Sequence, residues 1–346
     1  MTPRPAFPYC LHVNRATRAI PALLFLAAMG TAGFDQAPPR LLVTSAETDP
    51  PAADPGPEEP AVLVNPGEPA ASRVLGVSPR VGLRVYALTG ELLQQIDARD
   101  LIGVDARSGV RLATGRAEIA ACVDASGVLT IYRAGPGGAV EPITGSVRTG
   151  VADAAAVALH LSPDGSLVAL VGGGKSIEGW RLTIDHDVRA QRVIQVSVPE
   201  PVVCLAASDA RQTLYIGSTK GLRTLALTAG THEPVKVALI GATPIRGVGA
   251  FDSGALGGHL LLATPDGLSL HAPGNFKRIG DVIKIGRTNG IDPVDPPGAL
   301  ATSDGAFGAA YPFGLLVAHD ADNAPDRSNL KLIDLTPLAE RARLGR

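Results

Sequence analysis

Short apolar segments separated by turn-forming residues recur along the chain, and this pattern constrains the fold more strongly than any other feature. Each segment has the length of a β-strand rather than that of a helix. Examples are residues 73–77, 82–88, 127–132, 167–171, 213–216, 221–227 and 259–263. The turns at Ser162–Gly165 and Thr264–Gly267 place proline second and glycine last, as β-turns favour. The pattern therefore predicts an all-β protein of many short strands.

Composition supports this prediction and excludes several other classes. Of the 346 residues, 40 are glycine and 29 are proline, and both residue types disfavour long helices. They follow no period, which excludes collagen. A hydrophobic content of 45% excludes a disordered chain, and a net charge of -2 argues against a nucleic-acid-binding protein. The one helix that the sequence predicts is short, at residues 337–344, with Thr336 as its N-cap.

The even spacing of the predicted strands is compatible with a sandwich, a barrel or a propeller. A repeat of about 50 residues would give six blades, a number within the range of known propellers. Strand spacing alone leaves these three architectures open.

The N-terminal region has the organisation of an export signal. Arg4, Arg15 and Arg18 precede the apolar run Ile20–Gly30, and small residues follow that run. This order is typical of a signal peptide, so we expect residues 1–33 to be removed and the protein to be periplasmic or secreted. A short membrane anchor is the alternative. We expect the Pro-rich residues 34–60 to join the propeller only in part, and the protein to be a monomer without other membrane contacts.

Cysteine and acidic residues give two further expectations. Cys122 and Cys204 each lie in an apolar run, so we expect two buried free thiols, with a disulfide as the alternative. The segments Asn289–Asp295 and Asp320–Asn323 carry closely spaced oxygen ligands of the kind that calcium requires. Neither segment matches an EF-hand loop, and solvated turns are the alternative. No nucleophile elbow, zinc-protease motif or phosphate-binding loop is present.

Motifs near both ends of the chain resemble those of one enzyme family. Near the C-terminus they are Asn289–Asp292, Tyr311–Asn323 and Asn329–Leu332. They are similar to Asn-Gly-Ile-Asp-Gly, Phe-Pro-Tyr-Gly-Leu-Phe-Val-Val-Gln-Asp-Gly-Glu-Asn and Asn-Phe-Lys-Leu of the β-propeller phytases. Nearer the N-terminus, Ala46–Thr48 and Gly82–Tyr86 fall in that family's order and spacing. Over residues 44–336 the chain thus resembles a divergent β-propeller phytase.

This resemblance implies a six-bladed propeller with calcium ions in a central acidic cleft. We therefore expect a single six-bladed β-propeller over residues 41–336, followed by a short helix and tail at 337–346. In such enzymes calcium bridges the phosphates of phytate, which is myo-inositol hexakisphosphate, and activates the water that attacks phosphorus. An acidic cleft binds a polyanion only because the bound calcium inverts its charge. The implied cofactor is therefore calcium, and the implied ligand is phytate or another phosphorylated small molecule.

Most of the family's active-site positions carry other residues in this chain. Val202 and Arg246 stand where the family has calcium-binding carboxylates, and Ala155 stands where it has a tyrosine. Only Asp292 and Asp295 clearly match the family's calcium aspartates. The calcium candidates, which match or neighbour family positions, are Glu59, Val104, Asp105, Glu200, Asp266, Asp292 and Asp295. The candidates for phosphate binding are Arg80, Lys175 and Arg246.

Because calcium requires six to eight oxygen ligands, these replacements predict that calcium-dependent phosphomonoester hydrolysis is weak or absent. One alternative is a shifted active site built from Glu200, Asp266, Asp292 and Lys175. A second alternative is a non-catalytic exported propeller that binds a ligand or a protein partner. In that case arginine and lysine side chains, Lys220 among them, would hold an anion directly.

Overall fold

The computed structural model describes residues 41–49, 58–228, 233–237, 240–288, 290–321 and 328–344. Several predicted features lie outside the described residues. They are the signal peptide at 1–33, residues 34–40 and 50–57 of the Pro-rich segment, Asn289, and residues 322 and 323 of the second acidic cluster.

Six antiparallel sheets follow one another along the chain, each a blade of a propeller. The chain begins with β1 (Leu42–Glu47). Blade 1 consists of β2 (Glu59–Leu63), β3 (Arg73–Ser78), β4 (Gly82–Ala87) and β5 (Leu92–Ile96). Blade 2 consists of β6 (Leu101–Leu112), β7 (Gly115–Asp124), β8 (Val128–Ala134) and β9 (Val140–Arg148). Blade 3 consists of β10 (Ala154–Leu161), β11 (Leu167–Gly173), β12 (Ser176–Ile184) and β13 (Val188–Ser197).

The second half of the chain forms three more blades. Blade 4 consists of β14 (Val202–Ser208), β15 (Thr213–Ser218), β16 (Gly221–Ala226) and β17 (Val235–Lys236). Blade 5 consists of β18 (Gly247–Ala250), β19 (Leu260–Thr264) and β20 (Gly267–His271), and β21 (Ile285–Gly286) follows. Blade 6 consists of β22 (Leu300–Ser303), β23 (Leu315–Asp320) and β24 (Asn329–Asp334). The prediction of a six-bladed propeller is confirmed.

The first strand of the chain closes the ring of blades. β1 pairs antiparallel with β24, with Glu47 opposite Lys331, and β21 pairs parallel with β1 at the outer edge. Blade 6 therefore combines strands from both ends of the chain. This pairing covers an edge of β24 that would otherwise be exposed, and it joins the two ends of the ring.

The hydrophobic core lies between neighbouring blades. Ile119 and Val123 of blade 2, for example, pack with Leu159 and Ala169 of blade 3, and all four are buried. The strand prediction for residues 167–171 falls inside β11. Each blade buries both of its faces against its neighbours, which explains why so many strands are apolar without strict alternation.

The chain ends in the helix α1 (Thr336–Leu344), at the position where the sequence predicts a short helix. Leu338 and Ala342 of this helix pack against Leu256, which follows the first strand of blade 5. Cys122 and Cys204 are buried and free, so the prediction of two buried thiols is confirmed. Among the described residues, no helix is long and apolar enough to cross a membrane.

Candidate functional site

The innermost strands of the six blades surround an axial channel of about 310 Å³. These strands are β2, β6, β10, β14, β18 and β22. Each blade is an antiparallel meander, so the chain returns to the same end of the channel before each new inner strand begins. We call the end where the inner strands begin the top face and the end where they finish the bottom face.

The phosphate-binding candidates all lie on the top face. Arg80 and Lys175 occupy the turn between the second and third strands of blades 1 and 3, and Lys220 occupies the equivalent turn of blade 4. Arg246 directly precedes β18, the inner strand of blade 5. All four side chains belong to exposed residues. The structure thus distributes four cations around one end of the channel.

Two of the calcium candidates, neither of which lines the channel, are hydrogen-bonded to basic side chains. Asp292 accepts a hydrogen bond from the ammonium group of Lys331, at 2.5 Å. Glu200 accepts two hydrogen bonds from the guanidinium group of Arg223, at 2.8 and 3.0 Å. The Arg223 side chain lowers the pKa of Glu200, because the hydrogen-bonded carboxylate is favoured in its charged form.

Two further candidates show the same pairing. Asp295 is bonded to the ammonium group of Lys284 at 2.9 Å, with both side chains largely exposed. Asp105 accepts hydrogen bonds from Arg107, at 3.0 and 3.2 Å, and from the backbone N–H of Leu159, at 2.7 Å. Burial raises the pKa of Asp105 despite these bonds. Asp105 lies towards the bottom face, away from the other candidates, and Val104 offers an apolar side chain to the channel.

Adjacent glutamates at the start of blade 1 have different surroundings. Glu58 is fully buried beside Arg84, with a nitrogen–oxygen distance of 2.5 Å. Burial raises the pKa of Glu58 to about 7, and the Arg84 charge opposes that rise. Glu59 lines the axial channel and makes no hydrogen bond or ion pair with the described residues. Burial raises the pKa of Glu59 to about 8. The remaining candidate, Asp266, is exposed in the turn between β19 and β20.

A network of carboxylates at the bottom face was not identified from the sequence. Asp209 accepts hydrogen bonds from Leu161 and Arg107, Asp252 from the backbone of Asp209, and Asp304 from the backbone of Asp252. These bonds range from 2.8 to 3.0 Å and each connects two different blades. Asp209 also contacts His160 at 3.0 Å.

A sequence signal for this network does exist. Asp209, Asp252 and Asp304 each follow an inner strand, and they are 43 and 52 residues apart in the chain. That spacing is close to the expected blade repeat, so these aspartates mark one structural position in successive blades. Their bonding to backbone N–H groups assigns them to blade attachment rather than to ligand binding.

The residues present do not fit a calcium site. Calcium requires six to eight oxygen ligands, several of them carboxylates on one centre. Within the described part of the chain, no group of three or more His, Cys, Asp or Glu side chains is arranged to hold a metal ion. Four of the candidate carboxylates are instead bonded to lysine or arginine. Asp105 belongs to blade 2 and Glu200 precedes blade 4, whereas Asp292 and Asp295 lie together between β21 and β22.

A family model described as Phytase matches residues 17–218, more than half of the chain. The chain belongs to the phytase family. The matched range covers blades 1 to 3 and the first two strands of blade 4. The C-terminal motifs that resemble β-propeller phytases lie beyond it. Membership in this family implies a phosphorylated small molecule as the class of substrate, whereas the calcium dependence known for the family has no matching ligand cluster among the described residues of this chain.

Proposed function

We propose that this phytase-family propeller binds phytate or a related phosphorylated small molecule at its top face, and that its calcium-dependent hydrolysis is weak or absent. The observation that carries the proposal is the pairing of Asp105, Glu200, Asp292 and Asp295 with lysine or arginine. Within the described part of the chain, no group of three or more His, Cys, Asp or Glu side chains is arranged to hold a metal ion. We further propose that the protein is exported and acts as a monomer.

Exposed cations supply the means of binding. Arg80, Lys175 and Arg246 lie at the top-face ends of three different blades. Arginine and lysine form strong charge-assisted hydrogen bonds to phosphate, and a ligand with several phosphates can contact several cations at once. Such binding needs no bridging metal, because the side chains themselves neutralise the ligand.

Thermal unfolding with and without phytate tests the proposal, since a ligand that binds only the native state raises the melting temperature. We expect phytate to raise it in the presence of EDTA and calcium alone to leave it unchanged. The variant R80Q/K175Q/R246Q should lose the phytate-dependent increase. The matched control R133Q/R189Q/K277Q removes three exposed cations far from the top face and should keep the increase.

The alternative is a calcium-dependent phytase with a rearranged site, which family membership and the two carboxyls not paired with a cation, Glu59 and Asp266, favour. Measuring phosphate release from phytate with calcium and with EDTA distinguishes the two functions. Release that requires calcium and proceeds over many turnovers would overturn the binding proposal. So would a melting temperature that phytate does not change in EDTA.

A further inference from the structure

The carboxyl group of Glu59 has no protein partner among the described residues, although it lies inside the axial channel. Glu59 of blade 1 and Cys204 of blade 4 both line this channel. Burial raises the pKa of the Cys204 thiol, and the charge of Glu59 adds to that rise. A carboxyl group in such surroundings is costly unless something pairs with it.

The channel is lined by both apolar and polar residues. The apolar ones come from five blades and include Val104, Val157, Leu205, Val248 and Leu300. A volume of about 310 Å³ lies at the lower end of the range for small-molecule sites, and such sites combine apolar walls with a few polar groups. The cavity thus has the composition of a ligand site with a single polar anchor near the top.

Towards the bottom face, Arg107 extends from blade 2 to blade 4 and bonds to Asp209 and to the carbonyl oxygen of Ala207, both at 3.0 Å. The charged groups that line the cavity are five carboxyls and this one guanidinium. The carboxyls belong to Glu59, Asp105, Asp209, Asp252 and Asp304. A cleft lined mainly by one sign of charge attracts ions of the opposite sign, so this channel favours cations and repels phosphates.

We propose that the axial channel binds a small primary alkylammonium ion, with its ammonium group at Glu59 and its carbon chain against the apolar residues of the lining. An ammonium group donates up to three hydrogen bonds, and its charge favours the ionised form of Glu59, which burial alone disfavours. A single carboxylate among valines and leucines offers far fewer oxygens than calcium requires, so the donor set selects an organic cation over that metal. This site is separate from the top-face cations proposed to bind phosphates.

Calorimetric titration with n-butylammonium chloride tests the proposal, with 1-butanol as the uncharged probe of nearly the same shape. We expect saturable binding of n-butylammonium by the wild-type protein and at least tenfold weaker binding of 1-butanol. In the E59Q variant the affinity for n-butylammonium should fall at least tenfold. The control D266N removes an exposed carboxylate from the top face and should leave that affinity unchanged.

Two results would overturn the inference: no saturable binding of n-butylammonium, or equal affinity for 1-butanol. Both are measured on the wild-type protein and so do not depend on the folding of a variant. If E59Q folds, as its melting curve reports, unchanged affinity would overturn it as well. The phytate experiment has a different ligand and different variants, so either proposal can fail without the other.

Discussion

Replacing the buried Lys331 by methionine should destabilise the propeller strongly. The Lys331 side chain is fully buried in β24, and its ammonium group contacts Glu47 of β1 and Asp292, and lies 3.5 Å from Asp320 of β23. Burial alone would lower the pKa of Lys331, but the hydrogen bonds to Asp292 and Glu47 raise it by more. The K331M variant keeps a similar side-chain volume and removes the charge together with its hydrogen bonds to Glu47 and Asp292.

The exposure of the three carboxylates determines the magnitude. The side chain of Asp320 is only 2% exposed, whereas those of Asp292 and Glu47 are 20% and 37% exposed and can reach water. Removing one partner of a buried ion pair costs about 3–5 kcal/mol. An unfolding entropy of about 2.1 cal/mol/K per residue gives roughly 0.6 kcal/mol/K for a domain of about 300 residues. The expected decrease in melting temperature is therefore about 5–8 °C.

Differential scanning calorimetry of K331M and of K284M checks this prediction. K284M removes the exposed pair with Asp295, and exposed pairs contribute about 1 kcal/mol or less. The double variant K331M/D320N should recover part of the loss, because it no longer buries that carboxylate. Since the folded-state pKa of Lys331 is raised, its contribution should persist up to its ordinary value of 10.5 and decline only at higher pH. A K331M protein that melts within about 1 °C of K284M would refute this reasoning.

Three other perturbations test other parts of the fold. Replacing Arg107 by methionine should lower the free energy of unfolding, measured with urea, by about 3 kcal/mol, because Asp209 loses its guanidinium partner. The control R116M, at an exposed arginine, should change that free energy by less than about 0.5 kcal/mol. The G90A variant should lose at least about 2 kcal/mol more free energy of unfolding than G137A. Both glycines have positive φ, but only at Gly90 would a Cβ atom overlap the backbone of Glu47. Equal losses of free energy in the two variants would contradict this. Burial lowers the pKa of His319 to about 4, so on acidification this histidine is protonated in the unfolded state before the folded state. The free energy of unfolding of the wild-type protein should therefore fall by about 2 kcal/mol between pH 7 and 4.5. Urea unfolding of H319Q at the two pH values should lack this contribution.

The strands and their turns were predictable from the sequence because both are local. The run at 167–171, for instance, became β11, and the turn residue Gly267 adopts the positive φ that such turns require. The pairing of β1 with β24 is not local, since Glu47 and Lys331 are 284 residues apart. The resemblance to a propeller family implied that the N-terminal segment joins the ring, but no local pattern specifies which carboxylate meets which ammonium group.

The candidate site was predictable only as a set of positions. Arg80, Lys175 and Arg246 all lie on the top face, and their role in phosphate binding stays a prediction. The partners of the carboxylates were not predictable in this way. Glu200 precedes β14 whereas Arg223 lies in β16, and Arg107 of blade 2 bonds to Asp209 of blade 4. The number of carboxylates retained at family positions therefore overestimates how much of a metal site remains, because it does not show which of them are bonded to arginine or lysine.

The charge that a carboxylate contributes to the protein surface depends on the side chain that it bonds to, and not only on its position in the sequence. A carboxylate that is bonded to lysine or arginine is neutralised without a diffusible ion, so it neither recruits calcium nor repels a phosphorylated ligand strongly. Glu200 with Arg223 and Asp295 with Lys284 are such pairs. The exposed cations Arg80, Lys175 and Arg246 lie on the top face, while most carboxyls of the channel lie towards the bottom face. Because the two sets of charges are separated in this way, the proposed phosphate site and the proposed ammonium site can coexist in one propeller.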